Sequence, residues 1–219
     1  MRKANISCTC MALFAVASAP AWAGEPQARK GFWWSVVLGP GFASADCREC
    51  GPPERQAGFS GWIRLGATIN PHLVIGWEGG GWLANSSGWI LTSAEVNRTL
   101  GSSGVVVLYY PRAASGWFLR STIGTAYAGF PPVPEETPPV NCGVYGCVPP
   151  VLEEGAHGNG WGWAIGTGYD YRFAKNVSFT VDISYAAGKP GELSGGDQGI
   201  VVREWRHNIW IAAVGFTFH

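Results

Sequence analysis

Between Trp161 and Phe173 the side chains change character at every residue. The odd positions give Trp161, Trp163, Ile165, Thr167, Tyr169, Tyr171 and Phe173; the even ones give Gly162, Ala164, Gly166, Gly168, Asp170 and Arg172. A repeat of two belongs to a β-strand, whose successive side chains point to opposite faces. One face is bulky and apolar, and the other is small with isolated charges. The pattern returns in 177–187, where Phe179, Val181, Ile183 and Tyr185 alternate with Ser178, Thr180, Asp182 and Ser184. In 58–70, Phe59, Ile63, Leu65 and Ile69 alternate with Ser60, Arg64, Thr68 and Asn70. In 116–130, Trp117, Leu119, Ile123 and Tyr127 alternate with Phe118, Arg120, Thr122 and Gly124.

Such alternation also suits a half-buried sheet in water, so the chemistry of the two faces has to decide. Only 14% of the residues are charged, against roughly a quarter in ordinary globular domains. Glycine numbers 32 and tryptophan 12, so the chain has aromatic bulk but few groups to cover a wet surface. The non-apolar faces carry Gly, Ala, Ser and Thr rather than Lys and Glu, which suits the crowded inside of a narrow barrel. Aromatic residues gather near strand ends: Tyr109, Tyr110, Trp117, Tyr169, Tyr171, Phe173, Phe216 and Phe218. Rings of this kind settle at the boundary between lipid and water. The expected orientation therefore has the aromatic side toward lipid and the small, charged side inward. Arg64, Glu78, Arg120, Asp170, Arg172 and Asp182 then share the interior and should pair, because lone buried charges are costly. The run "GVVVLYY" within 94–110 does not distinguish its faces.

The chain divides into eight strand-like stretches, at about 31–43, 58–70, 72–84, 94–110, 116–130, 160–173, 177–187 and 200–218. After Ala23 no apolar run approaches the roughly 20 residues of a spanning helix. Any crossing must use strands closed into a barrel, which leaves no backbone group unpaired in lipid. Connections alternate between short ("NPH", "PRAAS", "AKN") and long ("SADCRECGPPERQ", "NSSGWILTS", the Pro-rich 131–157, "KPGELSGGDQG"). Membrane barrels show this rhythm, with short periplasmic turns and long external loops. "MRK", the apolar "MALFAVASAPAWA" and the closing "AWA" read as a secretory leader cleaved after Ala23. A signal peptide over 1–23 and a barrel domain over 24–219 follow, with Cys8 and Cys10 leaving in the leader.

"GTGYDYRFAKNVSFTVDISY", "YAGFPPV" and "AAVGFTFH" resemble the small outer-membrane β-barrel family, the OmpA/OmpX-like barrels. The resemblance implies an eight-stranded antiparallel up-and-down transmembrane β-barrel. It also implies that the barrel-assembly machinery reads the C-terminal strand. Family members usually end in Phe, whereas here Phe218 is penultimate and His219 is last. Val214, Phe216 and Phe218 keep the alternation.

Four cysteines remain in the exported part: Cys47 and Cys50 in one long connection, Cys142 and Cys147 in another. In an oxidising compartment they favour two disulfides, paired within or between the loops. A four-cysteine metal site and a redox pair are the alternatives. His157, His207, Ser194 and Asp197 are the residues a lipid-modifying enzyme would use, yet no spacing among them fixes a triad. His207 points inward by phase. "GGDQG" lacks the Lys and the following helix of a phosphate loop. The N-x-S/T triplets at Asn85, Asn97 and Asn176 carry no weight. Zero net charge argues against nucleic acid.

The sequence therefore predicts a monomeric integral protein of a bacterial outer membrane, non-enzymatic, with no cofactor and no metal. Its role would be structural or surface-interacting. Its partners would be outer-membrane lipid and lipopolysaccharide, the assembly machinery, and an extracellular ligand of the loops. A lipid-modifying enzyme, a narrow pore and a soluble periplasmic ligand-binding barrel are the alternatives. The last requires an apolar interior and a polar exterior.

Overall fold

The computed structural model describes residues 29–48, 55–85, 96–130, 155–195 and 200–219. Among them, eight strands follow one another: β1 (Gly31–Asp46), β2 (Arg55–Asn70), β3 (Leu73–Asn85), β4 (Val96–Tyr109), β5 (Trp117–Phe130), β6 (Ala156–Ala174), β7 (Val177–Ser194) and β8 (Ile200–Phe218). Each pairs antiparallel with the next, and β8 pairs back to β1, so the sheet closes with no free edge. The fold is an eight-stranded up-and-down barrel, as the sequence predicts. Residues 1–28, which hold the predicted leader, lie outside the described residues, as do Cys50, Cys142, Cys147 and Asp197.

Both ends of the described chain lie at the short-turn end of the barrel. The turn after β2 is fixed by the Asn70 side chain, which accepts from the His72 amide at 2.9 Å. Asn and Asp favour such turns because the side chain imitates a backbone carbonyl. The longer connection after β4 is tied by the Ser115 amide donating to the Arg112 carbonyl at 2.9 Å. The seam between first and last strands is reinforced on its outer side, where Trp34 and Phe218 stack with centroids 4.1 Å apart.

The faces divide as the sequence predicts. Phe32, Ile63, Trp77, Ile123, Ile165, Tyr171, Ile183 and Phe216 are exposed on the outer wall. A soluble barrel needs the reverse arrangement, so that alternative is overturned. Tyr109, Trp117, Tyr169, Tyr171, Phe173 and Phe216 are exposed at the short-turn end, while Phe218 is half-buried beneath Trp34. Tyr110 is a correction. It is fully buried, inside rather than at the interface. Val106, Leu108 and Tyr110 share the inner phase of β4, which the uniformly apolar run could not reveal.

A second correction concerns the outer ends of β6 and β7. They add 156–159 and 188–194 to the barrel, the latter where the Lys-Pro-Gly sequence reads as loop. The β7–β8 register shifts between Gly188 and Gly191 and again beyond it. Gly191 takes φ +85°, a backbone region that L side chains disfavour. At such a bulge a proline is tolerated, because the ladder is already interrupted there. Pro190 therefore continues the strand instead of ending it.

Candidate functional site

The interior is filled in layers. Its middle layer is ionic. Arg64 in β2 and Glu78 in β3 are direct cross-strand partners. Arg120 in β5 and Asp182 in β7 reach them across the lumen. Arg64 Nε donates to Glu78 Oε2 at 2.6 Å and its Nη2 to Asp182 Oδ2 at 2.9 Å. Arg120 donates to the same Glu78 oxygen and, through Nη2 at 3.5 Å, to Asp182 Oδ1. Thr122 Oγ1 donates to the other Glu78 oxygen at 2.8 Å. All four charged side chains are buried, and two cations balance two anions. A balanced, hydrogen-bonded set is the form in which charges persist inside a low-dielectric volume.

Toward the short-turn end lies a second polar group, beneath an apolar cluster of Trp33, Val74, Val106, Leu108, Tyr110 and Phe118. The Tyr110 hydroxyl donates to Asp170 Oδ2 at 2.8 Å, and Thr180 donates to Asp170 Oδ1 at 2.8 Å. Thr180, Thr217 and Ser35 continue the chain of hydroxyls at 2.6 and 3.0 Å. Arg29, just before β1, closes the mouth. Its guanidinium lies 3.4 Å from the Tyr110 ring centroid and donates to the Ala113 and Ser115 carbonyls at 3.0 and 2.7 Å. Arg172 is buried in the same region. Burial, with Arg29 and Arg172 nearby, pushes the His219 imidazole down to about 3, so it is neutral at pH 7.

Toward the long-loop end the lumen is apolar. Trp62, Trp82, Leu100, Leu193, Val202, Trp205, Ile209 and Ile211 form one cluster. The Trp82 indole crosses to β1, donating through Nε1 to the Gly41 carbonyl at 3.0 Å. A Cβ on Gly58 would stand 2.5 Å from the Trp82 ring, so glycine there makes room for the indole. Arg98 covers this cluster, its guanidinium carbon 5.2 Å from the Phe130 centroid and 5.8 Å from that of Trp205.

The six interior charges predicted from sequence are all buried, but they form two groups rather than one network. Arg64, Glu78, Arg120 and Asp182 make the middle layer, while Asp170 and Arg172 sit with Tyr110 and Arg29 near the short-turn mouth. Sequence reasoning missed Arg29, Trp82 and the inward Tyr110. Arg29 lies ahead of the first strand, where no alternation marks a face. Cys47 is disulfide-bonded, and its partner lies outside the described residues. His157 stands opposite Ser194 across β6 and β7, with no hydrogen bond between them, and His207 is buried on the inner face of β8. Among the described residues no acid joins these groups, and no set of three or more His, Cys, Asp or Glu residues gathers as for a metal.

A closed antiparallel ring of eight strands, apolar outside and packed with ion pairs inside, has the architecture of the small outer-membrane β-barrels. In fold the chain is similar to Neisserial surface protein A, with a TM-score of 0.50 and 16% identity over 87% of this chain and 98% of that one. It is also similar to Ail, the attachment invasion locus protein of Yersinia pestis, with a TM-score of 0.52 and 12% identity over 86% and 99%. These neighbours are consistent with the OmpA/OmpX-like resemblance of the sequence. No family model matches the chain, and no curated protein matches it in sequence.

Proposed function

We propose that the protein is an integral barrel of the bacterial outer membrane with a structural or surface-interaction role, and that it neither conducts nor catalyses. The observation carrying this reading is the packed lumen: among the described residues, an apolar cluster toward each end accompanies a buried, charge-balanced ionic layer. Eight strands enclose a space that side chains can fill completely. The exposed wall of Ile, Leu, Val, Phe and Trp supports placement in lipid. The cysteines would brace the long loops, which carry whatever recognition the protein performs. Export through the leader, and insertion guided by β8, complete the expected route.

Three measurements test this. A folded barrel in the membrane fraction migrates differently on a gel before and after boiling, and recovery in the soluble periplasmic fraction refutes the membrane placement. Reconstituted protein in a planar bilayer should show no unitary conductance above that of protein-free lipid. Steady conductance steps refute the closed lumen. Lipid A from cells with and without the chain should have the same mass spectrum, and a new modified species would establish an enzyme.

A further inference from the structure

Where the outer ends of β6, β7, β8 and β1 meet, the outward wall holds an open pocket of about 460 Å³. Asp46, Trp161, Trp163, Tyr185, Lys189 and Arg206 are among the residues that line it. Trp161 pairs with Lys189 across β6 and β7, and Asp46 pairs with Arg206 across β1 and β8. Between them the β7–β8 register passes from Gly188–His207 to Gly191–Trp205, so Lys189 and Pro190 together face the single residue Arg206. The bulge thus sets two exposed cations side by side on the outer wall. Like charges at neighbouring cross-strand positions repel. Among the described residues neither cation has an ion-pair or hydrogen-bond partner.

Below the cations the wall becomes aromatic. Trp163 and Tyr185 lie 5.6 Å apart, and Tyr185 and Trp210 4.9 Å apart. Beside Lys189, its cross-strand partner Trp161 is 56% exposed. Among the described residues Asp46 is the only carboxylate of the lining; Glu192 and Glu204 are exposed and do not line it. A paired cationic cap directly above an aromatic slope complements a molecule with an anionic head and an apolar body. Guanidinium forks and ammonium groups both bind phosphate oxygens well.

We propose that this pocket binds the phosphorylated headgroup of an outer-leaflet lipid. Lys189 and Arg206 hold the phosphate, and the Trp163–Tyr185–Trp210 slope receives the apolar part beneath it. The bulge in β7 is the device that brings the two cations together. This inference rests on the membrane placement proposed above.

The test uses the full chain folded in neutral detergent, titrated with lipid A and followed by native mass spectrometry and tryptophan fluorescence. The parent and Lys175→Gln, at a turn on the opposite end, should bind lipid A alike. The double variant Lys189→Gln/Arg206→Gln should bind about tenfold more weakly or worse, because charge-assisted contacts are lost. Asp46→Asn, which removes the competing carboxylate, should bind more tightly than the parent. Phosphatidylcholine should bind weakly to all four. Unchanged lipid A affinity in the double variant, or weaker binding by Asp46→Asn, overturns the site. Inorganic phosphate binding as tightly as lipid A would assign the cations to a soluble anion and overturn the lipid assignment. Mobility before and after boiling reports folding separately. A chain that never enters membranes refutes the placement, whereas a folded barrel with indifferent binding refutes the site alone.

Discussion

Replacing Glu78 by glutamine would remove one negative charge from a layer of two carboxylates and two guanidiniums. The shape is conserved, so the effect isolates charge. Glu78 Oε2 accepts from both Arg64 and Arg120, and Oε1 accepts from Thr122 at 2.8 Å. Glutamine keeps one acceptor oxygen but loses both ionic contacts, leaving two guanidiniums to share Asp182 at 2.9 and 3.5 Å. Each charge-assisted hydrogen bond contributes roughly 1.5–3 kcal/mol, and breaking a buried pair costs about 3–5 kcal/mol. The expected destabilisation is therefore about 3–5 kcal/mol. Asp182→Asn should cost less, since one of its two contacts is long. Arg64→Met/Glu78→Gln keeps the layer neutral and should deviate from the sum of its single variants by about 1–3 kcal/mol. Urea unfolding in lipid vesicles, followed by tryptophan fluorescence and by gel mobility without boiling, measures all of these. If Glu78→Gln unfolds within about 0.5 kcal/mol of the parent, the layer is hydrated and the packed-lumen reasoning fails.

Ile123, 68% exposed on the outer wall, should tolerate arginine badly: Ile123→Arg is expected to cost roughly 2–4 kcal/mol if the residue lies near mid-bilayer, and a neutral result in the same vesicles would contradict the orientation. Gly58→Val should meet both the Leu83 carbonyl and the Trp82 indole and cost about 1–3 kcal/mol, with a change in the near-ultraviolet circular dichroism; an unchanged spectrum would contradict the packing. Arg29→Ala removes the contact over Tyr110 and two carbonyl bonds, and a loss of about 2 kcal/mol is expected; an unchanged urea midpoint would show that the mouth is closed without it. His219 is held neutral, with its value lowered from 6.5 to about 3, so the folded state binds fewer protons than the unfolded one below pH 6.5. Stability should then fall as pH drops from 7 toward 4, and His219→Gln should flatten that slope; an identical slope in the variant would remove His219 from the account.

The pairing of the residues that the alternation places inside depends on long-range geometry. Arg64 and Glu78 are 14 positions apart and adjacent in register, but Arg64 and Asp182 are 118 apart and meet only because the sheet closes. Nothing local in either segment encodes that contact. The same holds for Trp82, whose partner carbonyl on Gly41 is 41 positions away.

By itself the sequence determined the strand number, the two faces of most strands and the interior location of six charges, because a period of two is a local property of an extended chain. It also carried the short-long rhythm of connections that orients a barrel. Only the tertiary structure decided which charges share a layer, that Tyr110 faces inward, that Arg29 closes one mouth, and that β7 continues past Pro190 to set Lys189 beside Arg206. Those outcomes come from shear, closure and bulges, which fix heights and neighbours across the ring. No pattern read along a single strand contains them.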